Sequence, residues 1–210
     1  MNEQHANYVN TLDSRCTNLL FREKKAIAVL SKLCSLSNNK LDYFKATKFM
    51  YLFDRNKLLT TGEPAFYGRP CSLPLGPIIS EVYDGLKSLK IDDSNLGIDW
   101  KEHFSLDRNK HLIHQVDQDT ELFGGELSED DVECLQNIYA KYEHDVENRQ
   151  LKKDIAGLPE HVNLPEGKRY QPLSYAYILS KNGYSNSEIE DVFREIEYEN
   201  LLSAVLELAK

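Results

Sequence analysis

The stretch from Lys45 to Tyr83 constrains this chain more than any other, because KATKFMYLFDRNKLLTTGEP runs through a Pro-punctuated loop into LPLGPIISEVYDGL. Ala46, Phe49, Met50 and Phe53 fall at i, i+3, i+4 and i+7, which puts them on one apolar face and predicts a helix. Thr60, Thr61, Gly62 and Pro64 stop it. After Gly76, Pro77 reads as the first position of a second helix, where its fixed φ is pre-organised and its missing N–H costs nothing. Ile78, Ile79, Val82, Tyr83 and Leu86 follow at helical spacing. No group in the stretch has the character of a catalyst.

This layout resembles the Panacea domain, the SocA-like antitoxin family. Its members carry a helix reading roughly Lys-Leu-x-Lys-Leu-Leu-Tyr-Phe-x-Asp, then a Gly-rich connector, then Gly-Pro-Val and a helix containing a Tyr. The matching residues are Lys45, Lys48, Phe49, Met50, Tyr51, Asp54, Gly62, Gly76, Pro77 and Tyr83. Ala46 and Phe49 depart from the family's Leu, and Pro70 and Pro74 are additional. The resemblance covers residues 18–160 and, more loosely, the C-terminal helices. It also includes a Ser-initiated helix ending near a Tyr, and a later His that falls nearest to His161.

The resemblance implies an antitoxin that neutralises a cognate protein toxin by direct binding, in a toxin-antitoxin system linked to phage defence. The toxin would be encoded by an adjacent gene, with a protease as a further candidate partner. The chain would not be an enzyme. The resemblance singles out Tyr51 and Asp54, which can equally be a core aromatic with its hydroxyl satisfied at the rim and a helix-end or loop-tethering carboxylate; the functional alternative is that Asp54, Gly76 and Pro77 shape a surface read by the partner, with Pro74 beside them in the loop.

Charge narrows the alternatives. The net charge is −9 and the pI near 5.2, whereas a nucleic-acid footprint needs clustered Lys and Arg. A transcription regulator of winged-helix type would have to read DNA with a basic helix face. Lys48, Arg55 and Lys57 form the one such cluster. An enzyme with a dispersed site is the remaining rival, since convergent polar groups need not be close in sequence.

The expected fold is mainly α: a helical core with a small β-hairpin and a C-terminal helical extension. Residues 1–160 form the main unit, with the hairpin near 100–116, and residues 161–210 a helical appendage packed on it. An amphipathic helix is expected from Asn18 to Leu36, carrying Leu19, Leu20, Ala26, Ile27, Leu30, Leu33 and Cys34 on one face. WKEHFSL and HLIHQV alternate apolar and polar residues around Asp107–Lys110, as strands of a hairpin do. Two strands are too few to stand alone. Trp100, Phe104, Leu112 and Ile113 should therefore lean on the helices.

Ser128 opens a helix as N-cap with Asp131 as its capping-box partner and three acids at the positive end of the dipole. Val132, Leu135, Ile138, Tyr139 and Tyr142 make its buried face. Further on, PLSYAYILSKNGYS reads as a short helix closed by Gly183. Ser185 and Glu188 box the start of a last helix, whose apolar side runs from Ile189 through Val192, Phe193 and Ile196 to Leu201, Leu202, Val205 and Leu206. Its other side carries Glu188, Asp191, Glu195 and Glu199, the most concentrated negative surface and a second candidate contact for a basic toxin.

No run of about 18 apolar residues is present to cross a membrane, and the N-terminus lacks the layout of a secretory signal. The expectation is a cytoplasmic protein. Cysteines 16, 34, 71 and 134 show no Cys-x-x-Cys spacing and should be reduced thiols. His111 and His114, three apart on a strand, would point to opposite faces, so no metal site is expected. Catalytic residues and cofactors are likewise expected to be none.

Overall fold

The computed structural model describes residues 20–90, 100–116 and 125–208. The expected helix start at Asn18 and Leu19, the segment from Ile91 to Asp99, and Cys16 lie outside that range.

The chain is mostly helical, with two small antiparallel sheets of three strands each. The elements are α1 (Glu23–Leu36), β1 (Leu41–Asp42), α2 (Tyr43–Thr61), β2 (Pro70–Leu73), β3 (Gly76–Ile79), α3 (Ser80–Ser88), α4 (Trp100–His103), β4 (Phe104–Asp107), β5 (Leu112–Gln115), α5 (Glu129–Tyr142), α6 (Arg149–Ala156), β6 (Gln171–Pro172), α7 (Tyr175–Lys181) and α8 (Asn186–Leu208).

The core forms around α2. Asp42 caps its start by accepting the Lys45 N–H at 2.9 Å. Gly62 ends it in the left-handed region, where a residue without Cβ is unstrained, and its N–H returns to Leu58 O. The expected face of Ala46, Phe49, Met50 and Phe53 is wholly buried. Each large apolar side chain buried there contributes about 1.5–3 kcal/mol. Against it pack Leu30 and Leu33 of α1, Leu135 and Tyr142 of α5, and Leu151 and Ile155 of α6.

Several expectations need correction. Leu20 precedes α1 and is 72% exposed, so the apolar face begins at Ala26. Leu201 and Leu202 are exposed, because the last helix runs past the body that buries Ile189, Phe193 and Ile196. Pro77 does not begin a helix. Gly76–Ile79 is a strand paired with Pro70–Leu73 across a two-residue turn at Pro74 and Leu75, and the helix starts only at Ser80. A proline is tolerated there because β3 is the edge of its sheet, in the order β3-β2-β6.

The second sheet contains the expected hairpin, shorter than its sequence suggested. Trp100 to His103 is a helical turn rather than strand, and the strands are Phe104–Asp107 and Leu112–Gln115. A third strand that periodicity could not reveal, Leu41–Asp42, pairs with Leu112 and Ile113. The hairpin leans inward as expected: Trp100, Phe104 and Ile113 are buried and Leu112 is half-buried. Trp100 lies on α3 at Gly85, where any Cβ would overlap its indole ring.

Helix α5 shows the expected capping box in full, with Ser128 accepting from the Asp131 N–H and Asp131 accepting from the Ser128 N–H. Helix α6 is an element the sequence reading missed. Asp145 fixes its start by accepting the N–H groups of Arg149 and Leu151. The C-terminal region adds strand β6 to the β2–β3 sheet and a second apolar cluster of α7 and α8 around Leu58, Tyr175 and Phe193.

Candidate functional site

Helix α2 is buried on more than its apolar face. Lys48, Tyr51 and Asp54 recur every three residues, and each is at most 2% exposed. Polar groups withdrawn from water at such positions must find partners inside the protein. All three do, and each partner comes from a different segment.

Lys48 reaches the Gly-Pro strand. Its ammonium donates to Gly76 O at 2.9 Å and Pro77 O at 3.1 Å. Burial pulls its pKa down to about 7, a shift that the neighbouring Cys71 thiol partly opposes. Gly76 has φ +93°, and a Cβ there would overlap Ile155 Cγ2. A glycine is therefore required twice over, by backbone conformation and by the close approach of α6. The two halves of the sequence motif, helix and Gly-Pro, are joined by one buried lysine.

Asp54 holds the connector. One carboxylate oxygen accepts the Phe66 N–H at 2.8 Å and the other the Tyr175 hydroxyl at 3.1 Å. Burial pushes its pKa up to about 7, against the downward pull of the Phe66 N–H and the Tyr175 hydroxyl.

Tyr51 donates to Glu160 Oε1 at 2.9 Å. Arg55 clamps the same carboxylate with Nε at 2.5 Å and Nη2 at 3.3 Å, and Asn182 donates to it at 3.1 Å. Burial alone would raise the Glu160 pKa, but the Arg55 guanidinium and the Asn182 amide hold it below the ordinary glutamate value. A fourth ionic knot lies nearby, where Lys25 and Lys57 stand 2.9 and 3.0 Å from the buried Asp131.

Tyr51, Asp54, Gly76 and Pro77 are thus buried and internally bonded. Of the candidates in this region Pro74 alone is exposed, beside Leu75, which is 64% exposed at the turn between β2 and β3. The basic cluster that a DNA-reading helix would display is spent inside the protein, with Lys48 on carbonyls, Arg55 on Glu160 and Lys57 on Asp131.

The acidic candidates Glu188, Asp191, Glu195 and Glu199 are all exposed. They are not equivalent. Glu188 closes the capping box with Ser185, and Asp191 pairs with Arg194 at 3.0 Å. Glu195 and Glu199 line a cleft of about 540 Å³ against Thr61, Gly62, Glu63 and Tyr67.

Of the two histidines weighed for metal, His111 sits in the loop with φ +55°, and His114 Nδ1 lies 2.6 Å from Asn39 O. Among the described residues no group of three or more His, Cys, Asp or Glu side chains could hold a metal ion. No helix among them is long and apolar enough to cross a membrane.

The family described as antitoxin SocA-like, Panacea domain, matches residues 47–153, just over half of the chain. The chain belongs to this family. No curated protein and no solved structure matches it. The matched span of the Panacea domain holds Lys48, Tyr51, Asp54, Gly76 and Pro77 together with Asp131. It ends before Glu160, Tyr175 and Asn182, which complete the hydrogen bonds of Tyr51, Asp54 and Arg55. Sequence reasoning missed all three. It pointed instead to His161, the immediate neighbour of the buried Glu160.

Proposed function

We propose that this Panacea-domain protein is an antitoxin that neutralises a cognate protein toxin by binding it directly, without an enzymatic step. The reading is carried by the family match over residues 47–153, which spans both halves of the Lys48 and Gly76–Pro77 link. That link supports a division of labour. Lys48, Tyr51, Asp54, Gly76 and Pro77 build a rigid support, and the contact with the toxin falls to the exposed residues it presents, Pro74 and Leu75 at the β2–β3 turn. A surface braced by buried, fully bonded polar groups loses little entropy on binding, which favours a tight complex.

The acidic face of α8 has a separate role in this proposal. Solvated charges at a rim mainly set association rate. With a net charge of −9, Asp191, Glu195 and Glu199 would steer a basic toxin toward the chain.

The test is co-expression with the product of the adjacent gene, followed by pull-down. Growth rescue together with a stable complex supports the proposal; rescue without any complex would replace direct neutralisation by an enzymatic or transcriptional route.

A further inference from the structure

Between the β2–β3 turn and the first turns of α2 runs a groove of about 420 Å³, lined chiefly by Tyr43, Phe44, Leu73, Leu75, Ile78 and Tyr83. Its walls are almost entirely apolar, and Leu75 stands at its lip largely in water. Apolar surface left open beside a rigid support is the usual mark of a contact site.

The charges around this groove run against the rest of the molecule. The Lys48 ammonium lies 5.6 Å from the centre of the Phe44 ring, and Lys152 stands 5.5 Å from the same ring. Lys90 lies 3.5 Å over Tyr43. Three lysines therefore stand over the aromatic rings of one groove in a protein of net charge −9, two of them, Lys90 and Lys152, at the surface. None of them pairs with a carboxylate among the described residues. Lys48 is committed to Gly76 O and Pro77 O and Lys152 also reaches Glu147 O at 3.4 Å, whereas Lys90 and Lys152 are exposed at the surface. Among the described acids close to these residues in sequence, Glu81 is paired with Arg69, and the exposed Asp84 acts on the Tyr43 hydroxyl.

We infer that this groove receives an amphipathic segment of the partner protein, with apolar anchors filling the space between Phe44, Leu75 and Tyr83 and carboxylates meeting Lys90 and Lys152. The inference rests on the proposed direct binding of a toxin and adds to it the place and chemistry of the contact. The apolar floor supplies the anchoring pocket and the cationic rim discriminates the partner, since like-charged rims repel. The segment is a local acidic stretch of a toxin whose basic surface faces the α8 acids; a basic segment would bury its charges against Lys90 and Lys152. A nucleic acid would meet too few cations and an overall negative molecule.

Two measurements on the full chain decide it. In the first, fluorescent helical peptides of about 15 residues with Leu at helical spacing are titrated by anisotropy, one with Glu at the flanking positions and its twin with Lys. The acidic peptide should bind at least about tenfold tighter, and both Leu75→Asp and Lys90→Glu/Lys152→Glu should abolish that preference. All the substituted side chains are exposed, so thermal unfolding should be unmoved. Equal binding of the two peptides, or binding indifferent to Leu75→Asp, would overturn the groove assignment. In the second, the same variants are assayed for pull-down of the adjacent gene's product. Loss of the complex supports the inference. A complex that forms and ignores these variants refutes the groove while leaving direct neutralisation intact. Sedimentation that reveals a wild-type dimer dissociated by Leu75→Asp would assign the groove to a second copy of the chain instead.

Discussion

The Tyr51 hydroxyl and the Arg55 guanidinium, one helical turn apart, converge on the same oxygen of Glu160, a residue that is completely buried. The pair draws the segment after α6 onto the central helix, and Asn182 joins from the far end of α7. Replacing Glu160 by Ala leaves the Arg55 charge without its carboxylate, held by Asn182 Oδ1 alone. Breaking a buried pair from one side costs about 3–5 kcal/mol. Denaturant unfolding of Glu160→Ala should show a loss of that size, and a loss below about 1 kcal/mol, the scale of an exposed pair, would show the network to be loosely held.

Gly76 yields a coupling prediction. Ala at this position meets Ile155 Cγ2 and must also adopt a positive φ. Over-packing costs about 1–3 kcal/mol, and the left-handed backbone about 1–2 more. In the Gly76→Ala/Ile155→Ala double variant the steric part should vanish while the backbone part persists. The double-mutant cycle should therefore give a favourable interaction energy of about 1 kcal/mol or more. Strict additivity would mean that the strand shifts freely and that α6 does not fix it.

Much of the fold is legible in the sequence where local rules decide. The α2 periodicity, the Ser128–Asp131 box, the Gly62 and Gly183 stops and the Ser185–Glu188 box are written in adjacent residues and recur in the structure. What escaped depends on distant partners. Gly76–Pro77 reads as a helix start because proline suits that position, and only the pairing of Ser72 with Pro77 makes it an edge strand. Lys48 reads as part of a basic cluster with Arg55 and Lys57 until β3 supplies two carbonyls. Glu160, Tyr175 and Asn182 lie more than 100 residues from the α2 side chains they bond. A signal existed for α6, in Leu151 and Ile155 one turn apart after Asp145, and it marks a short helix that could have been found.

Asp54 and Lys48 should give stability an uncommon dependence on pH. The Asp54 pKa is raised from its ordinary value to about 7. Its contribution is complete below the unfolded pKa near 4 and is lost as pH rises toward 7. The Lys48 pKa is lowered to about 7, so its contribution is complete above the unfolded value near 10.4 and is lost as pH falls toward 7. Stability should pass through a minimum near neutral pH, with each limb sloping by at most about 1.4 kcal/mol per pH unit. Glu160 and Asp131, whose pKa values are lowered, weaken the fold only below the ordinary carboxylate range. Asp54→Asn should flatten the limb below pH 7 and Lys48→Met the limb above it. A wild-type profile that is flat from pH 5 to 9, measured by urea unfolding, would contradict both assignments.

In the proposed function the α8 acids act through kinetics. Changing Glu188, Asp191, Glu195 and Glu199 to Gln should slow association with a basic toxin at low salt, and the difference should fade at high salt. The dissociation rate should hold. An unchanged on-rate and unchanged salt dependence would remove this helix from the mechanism and leave the turn around Pro74 as the contact.

The central claim, that the Panacea domain neutralises by direct contact, is tested most directly by titrating the purified chain against the purified product of the adjacent gene while following that protein's activity. Inhibition should saturate at a fixed stoichiometry, and the complex should survive size-exclusion chromatography. Full toxin activity in the presence of excess chain, with the two proteins eluting apart, would contradict it.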